Sequence, residues 1–137
     1  MQTPHILHAD DEEVMRDIIN LVLEANGFRV TSVPDGRQAL IVAGRQRLDL
    51  ILTDLDMPEM NGLELLRHLK NDAELRHIPL LLLSNHPAPH PRVQTALEAG
   101  AAGYISKSRL DLRRLPAVLS DHLAAQAEME TARVLRK

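Results

Sequence analysis

Leu48-Asp49-Leu50-Ile51-Leu52-Thr53-Asp54-Leu55-Asp56-Met57-Pro58-Glu59-Met60-Asn61-Gly62 is the stretch on which the fold turns. Its first part, residues 48–53, is an almost continuous apolar run of strand length, the pattern expected where both faces of a sheet are covered. The run ends on Asp54, a loop with Pro58 and Gly62 follows, and Leu63, Leu65, Leu66 and Leu69 then recur at helical spacing. A strand, a polar loop and a helix in that order make one β-α unit. The same alternation recurs on both sides.

Towards the N-terminus, residues 5–9 are apolar enough for a strand, and residues 12–25 carry Val14, Ile18, Leu21, Val22 and Ala25 at three- and four-residue intervals. Asn26-Gly27 stops that helix, and the β-branched residues of 28–33 make a second strand. Pro34-Asp35-Gly36 then turns into a helix carrying Ala39, Leu40, Val42 and Ala43. Towards the C-terminus, a fourth strand spans 78–83, and Pro87, Pro89 and Pro91 hold off regular structure until a helix near 93–99. Tyr104-Ile105-Ser106 forms a short fifth strand, and the chain from Leu110 onwards is helix-prone, with Pro116 suited only to an early turn. Five β-α repeats predict an α/β fold, a doubly wound parallel sheet covered by helices on both faces.

Composition agrees with one domain of that kind. The chain has 137 residues, 45% hydrophobic and 26% charged, which is ordinary globular usage. No apolar run approaches the length of a membrane span, and the start shows no secretory pattern, so a cytoplasmic protein without membrane contact is expected. Cysteine is absent, which removes disulfides and thiolate chemistry and leaves carboxylates, carbonyls and imidazoles as the metal ligands. A net charge of −3 and only two aromatic residues, Phe28 and Tyr104, argue against direct contact with nucleic acid.

Ligands of open α/β sheets bind outside the carboxyl ends of the strands. Asp10 and Asp11 end the first predicted strand, Asp54 the third, Ser84 the fourth and Lys107 the fifth. The chain takes 44 residues from Asp10 to Asp54, 30 from Asp54 to Ser84 and 23 from Ser84 to Lys107, which suits right-handed crossovers that bring all these ends to one edge. Three carboxylates crowded there repel one another unless a cation sits among them, and a hard, oxygen-liganded ion such as Mg²⁺ is the natural choice. With such an ion and a lysine ammonium to neutralise phosphoryl oxygens, a carboxylate can accept a phosphoryl group. Each residue also has a plainer reading. Asp10-Asp11 alone suits a helix cap worth ~1 kcal/mol, Ser84 a strand end and Lys107 a solvated surface charge.

The blocks Ile6-Leu7-His8-Ala9-Asp10-Asp11-Glu12, Leu52 to Gly62 as quoted above, Leu83-Ser84 and Gly103-Tyr104-Ile105-Ser106-Lys107 together resemble the signature of the response-regulator receiver family of two-component signalling, over about residues 4–125. The resemblance implies a flavodoxin-like fold with strand order 2-1-3-4-5. It implies that Asp54 is the phosphoacceptor, that Asp10 and Asp11 orient Mg²⁺ with the backbone carbonyl of Asp56, and that Ser84 and Lys107 contact the phosphoryl oxygens. Tyr104 would swing inward as Ser84 moves towards the phosphate. The phosphoryl donor would be the phosphohistidine of a histidine kinase or a histidine phosphotransfer protein. Such a domain is no enzyme beyond its own phosphorylation and dephosphorylation. Two other readings are a Mg²⁺-dependent aspartyl-phosphate hydrolase and a phosphate-independent interaction module.

Several positions depart from the family pattern. Ser108 stands where proline is usual, and Asn85 where a small residue is usual. Asp56 and His86 each lie two residues past a site residue and are expected to pair across its mouth, so that Asn85 and His86 modulate the phosphoryl lifetime, with a pH dependence between about 6 and 7.5 for an imidazole. His86 and His90 lack an evident third metal ligand, and His68 and His77 are expected to face solvent. Residues 1–125 form the receiver domain. Residues 126–137 read as a helical extension, either for homodimerisation or as the start of a linker, because Leu112, Leu115, Leu119, Leu123, Met129 and Val134 give an irregular apolar stripe.

Overall fold

The computed structural model describes residues 3–86 and 90–135. Strands β1 (His5–Ala9), β2 (Arg29–Val33), β3 (Leu50–Thr53), β4 (Leu80–Ser84) and β5 (Gly103–Ser106) alternate with helices α1 (Glu13–Ala25), α2 (Gly36–Arg45), α3 (Gly62–Lys70), α4 (Pro91–Glu98) and α5 (Leu115–Leu135). The strands form one parallel sheet in the order β2-β1-β3-β4-β5. This is the flavodoxin-like order that the sequence blocks implied.

The period-two alternation of the central strands assigns the layers. Leu7, Ala9, Ile51, Leu80 and Leu82 point into a cluster with Ala39 and Ala43 of α2, Leu65, Leu66 and Leu69 of α3, and Val93 and Ala96 of α4. Ile6, Leu50, Leu52, Leu81 and Leu83 point the other way, to Ile19 and Leu23 of α1 and Leu115 and Leu119 of α5. Because both faces are packed, β3 and β4 are buried along their whole length, which is why they read as unbroken apolar runs.

Three expectations are corrected. The helix after β1 has the expected extent, but its buried positions are Ile19 and Leu23, whereas Val14 is 70% and Leu21 75% exposed and Ile18 is also on the surface. Two apolar stripes share this helix, and only one has a packing partner in the fold. At α4, Pro91 does not delay the helix but begins it, in the first-turn position where its missing N–H costs nothing. Pro87 and Pro89 lie outside the described residues. Finally, the chain after Leu110 is not yet helical: Asp111 accepts from the backbone N–H of Arg113 at 3.0 Å and its carbonyl from that of Arg114 at 2.9 Å, a turn that postpones α5 to Leu115, with Pro116 in its first turn.

The second half of α5 runs past the core. Gln126 Nε2 donates to the carbonyl of His77 at 2.9 Å, and beyond it Met129, Val134 and Leu135 are exposed.

Candidate functional site

The carboxyl ends of β1, β3, β4 and β5 meet at one edge, and each delivers a polar residue. Asp10 follows β1 and is fully buried; its Oδ1 accepts from the backbone N–H of Glu12 at 2.9 Å and its carbonyl from Arg16 Nη1 at 2.7 Å. Asp54 follows β3, and its Oδ1 accepts from the backbone N–H of Leu55 at 2.7 Å. The loop behind it is held close by Gly62. A side chain there would meet the carbonyl of Asp54 at 2.3 Å, so only glycine lets α3 start this near the aspartate. The capping box of Asn61 and Glu64 fixes that start.

Lys107 opens a short 3₁₀ turn (Lys107–Arg109) directly after β5. Its Nζ lies 2.8 Å from Asp54 Oδ2, 2.8 Å from Asp10 Oδ2 and 3.0 Å from Glu12 Oε1, with only 3% of the side chain exposed. The hydroxyls of Ser106 and Ser108, the latter at the position where proline is usual, stand 3.0 Å apart and brace the turn. Ser84 is buried at the end of β4. Its Oγ accepts from the backbone N–H of His86 at 3.3 Å, and its carbonyl accepts from the hydroxyl of Tyr104 at 3.3 Å, so Tyr104 is already turned towards β4.

Electrostatics follow from this crowding. Burial pushes the Asp54 carboxyl above its ordinary pKa, against the opposing pull of Lys107. Burial works to lower the pKa of Lys107, but its contacts with Asp10, Asp54 and Glu12 outweigh it and hold the ammonium above its usual range. The carboxylates of Asp10, Glu12 and Asp54 each bring an oxygen within 4.8 Å of the others. An all-oxygen donor set that already shares one positive charge fits a hard divalent cation such as Mg²⁺.

The mouth of the pocket carries a second cluster. His86 Nε2 stands 2.6 Å from Asp56 Oδ2, and Arg92, from the first turn of α4, pairs with Asp56 Oδ1. Burial is the largest single influence on Asp56 and opposes its ionisation, but the hydrogen bonds and charges of Arg92 and His86 together outweigh it, so its pKa is lowered. The rings of His86 and His90 approach to 4.4 Å between centroids.

Of the residues singled out in the sequence, Asp10, Asp54 and Lys107 come together, Ser84 ends β4 at the same edge of the sheet, and Asp56 pairs with His86 as expected. Asp11 and Asn85 are exposed, and Asp11 is outside the carboxylate cluster. His68 and His77 are exposed. Glu12, Arg92 and His8 carry contacts that the sequence reading did not assign. Glu12 was visible as the third of four consecutive acids, whereas nothing local marked Arg92.

With this geometry in hand, the comparisons with known proteins agree. A family model described as the response regulator receiver domain matches residues 6–120. The two-component response regulator ORR3 of Oryza sativa subsp. indica is 41% identical over 105 residues, covering 76% of this chain and 79% of the relative. ORR11 of the same plant is 39% identical over 121 residues, covering 82% of each. Among solved structures, the chemotaxis response regulator CheY4 of Vibrio cholerae superposes with a TM-score of 0.81 at 28% identity, over 88% of this chain and 98% of that one. The receiver domain of a sensor histidine kinase from Pseudomonas aeruginosa PAO1, solved with a magnesium ion coordinated in its active-site cleft, gives 0.81 at 30% identity, over 90% and 99%. The chain belongs to the response regulator receiver domain family, a family of signalling modules. Among the described residues no helix is long and apolar enough to cross a membrane.

Proposed function

We propose that Asp54 is the phosphoacceptor of a two-component phosphorelay, taking its phosphoryl group from the phosphohistidine of a histidine kinase or a histidine phosphotransfer protein. The observation that carries this reading is the position of Lys107 Nζ, 2.8 Å from both Asp54 and Asp10 at the carboxyl edge of a receiver-family sheet. Mg²⁺ would be held by Asp10, Asp11, Asp54 and the backbone carbonyl of Asp56, and would neutralise charge on the phosphoryl oxygens during transfer. Glu12, now on Lys107, is the nearest alternative to Asp11 as a ligand.

An oxygen of Asp54 attacks phosphorus as the P–N bond to the donor imidazole breaks, and the imidazole leaves and takes up a proton. Lys107 stays with the transferred group, exchanging its contact with Asp10 for a phosphoryl oxygen. Ser84 offers its hydroxyl to another oxygen, giving up the 3.3 Å contact from His86, and Tyr104 follows through its bond to the Ser84 carbonyl. The domain then acts by changing the surface around Ser84 and Tyr104, with self-dephosphorylation as its only turnover. His86, with Asn85 beside it, shields the acyl phosphate from water at the mouth. The exposed stripe of Val14, Ile18 and Leu21 on α1, starting three residues after Asp11, supplies apolar surface for the phosphohistidine-bearing partner. The setting is cytoplasmic. Residues 1–125 carry all of this, and residues 126–137 form a dimerisation or linker segment.

Titration with beryllofluoride and Mg²⁺ tests the reading. The receiver reading expects a spectroscopic or oligomeric change in wild type and none in Asp54→Asn. Steady release of phosphate from phosphorylated substrates over many turnovers would instead favour a hydrolase, and an inert response an interaction module.

A further inference from the structure

His8 occupies a place in β1 where an aliphatic side chain would normally sit. It lies between Ile6 and Asp10 on the strand face that looks towards α1 and α5, and it is fully buried. Neither ring nitrogen has a hydrogen-bond partner among the described residues. The β1–β2 register sets His8 opposite Ser32, whose hydroxyl accepts from Asn20 Nδ2 at 2.9 Å, and Asn20 Oδ1 is buried without a partner as well. Asn20, Ser32 and His8 thus place polar groups in the layer between α1 and the carboxylate pocket.

At the pocket end, His8 Nε2 lies 3.8 Å from Asp10 Oδ2. That oxygen is paired by charge with Lys107 at 2.8 Å but accepts no well-aligned hydrogen bond. A buried imidazole nitrogen and a buried carboxylate oxygen thus lie slightly too far apart to bond. Buried polar groups left unpaired cost stability, so such a pair is retained in the core only at a net loss unless another state completes it. In either neutral tautomer the imidazole has one N–H to give and no charge to compete with a cation.

We propose that His8 is a positioning residue for Asp10: when a divalent cation rather than Lys107 supplies the positive charge, Nε2–H of His8 donates to Asp10 Oδ2 and fixes the orientation in which that carboxylate binds the ion. The inference rests on the cation reading given above. Lys107 leaves Asp10 when it turns to the phosphoryl group, and His8 is the donor already facing the freed oxygen. Outer-shell donors of this kind set metal affinity because they restrict the rotation of the ligating carboxylate.

The test is a Mg²⁺ titration of the full chain by calorimetry, without phosphodonor, on wild type, His8→Val and His8→Asn, alongside the Tm of each metal-free protein. His8→Val is expected to bind Mg²⁺ about tenfold more weakly while its metal-free Tm is unchanged or higher, since two unpaired nitrogens are removed. His8→Asn keeps an N–H donor and is expected to recover part of the affinity. In wild type the Nε2 proton resonance of His8 is expected to move downfield as Mg²⁺ is added. A dissociation constant for His8→Val within about twofold of wild type overturns the inference and leaves the cation reading intact, as does equal weakening in both variants. Absence of saturable Mg²⁺ binding in wild type overturns both together.

Discussion

Lys107 Nζ stands 2.8 Å from Asp54 Oδ2, yet the Asp54 carboxyl is still held above its ordinary pKa, because burial outweighs the ammonium beside it. The charge on Asp54 is thus sustained at a loss by the folded protein. A carboxyl whose folded pKa is raised favours the folded state below its unfolded value, near 3.8, and that contribution is lost as pH rises through the folded pKa. Asp54→Asn is therefore expected to raise stability at pH 7 by about 1 kcal/mol, roughly 3–5 °C in Tm, with the gain shrinking below pH 4. Thermal unfolding of both proteins at several pH values measures this; a lower Tm for Asp54→Asn at pH 7 would contradict it.

The assignment of α1's inner face is checked by two leucines two residues apart. Leu23 is fully buried and Leu21 is 75% exposed. Leu23→Ala is expected to cost about 2–5 kcal/mol and Leu21→Ala less than about 0.5. Denaturant unfolding of the pair decides it, and similar losses would mean that the packed face has been misplaced.

Asp56 is shared by His86 and Arg92 at the pocket mouth. If this cluster keeps water from the acyl phosphate, His86→Ala and Arg92→Ala each shorten the lifetime of phospho-Asp54 by a few-fold, and the double variant loses less than the product of the two. The effect on folding is small, since Asp56 is 55% exposed and such pairs contribute only a few tenths of a kcal/mol. Dephosphorylation rates across pH 6 to 7.5 provide the measurement; identical rates and parallel profiles for wild type and His86→Ala would remove the mouth cluster from the account.

Removing residues 126–137 deletes the bond from Gln126 to His77 and the exposed Met129, Val134 and Leu135, but no buried residue among the described ones. The chain ending at residue 125 is expected to fold with a Tm within a few degrees of the full chain. Sedimentation of the two tells whether the extension holds copies together; a large loss of stability would show that it belongs to the domain.

What the sequence displayed depended on how local the cause was. The β-α alternation and the ends of β1 and β3 were legible because a doubly covered strand is apolar along its length and its polar end-residue stands out. Asp54, Asp10, Ser84 and Lys107 were legible because parallel strands oblige their carboxyl ends to meet. The face of α1 was not, since Val14, Ile18 and Leu21 have the same spacing as a core stripe and only the tertiary fold distinguishes the two. Arg92 reached the site through the placement of α4 after a segment rich in proline, which no periodicity encodes. Glu12 was visible as an acid, but its turn onto Lys107 depends on a side chain arriving from 95 residues away. His8 looked like one more residue of an apolar strand.

The central claim is that Asp54 accepts the phosphoryl group. Incubating the chain with phosphoramidate and Mg²⁺ and following intact mass tests it directly, with peptide mapping of the adduct after borohydride reduction. A single phosphoryl adduct at Asp54, dependent on Mg²⁺ and absent from Asp54→Asn, is the predicted result. An adduct that persists in Asp54→Asn, or that maps to another residue in wild type, would contradict it.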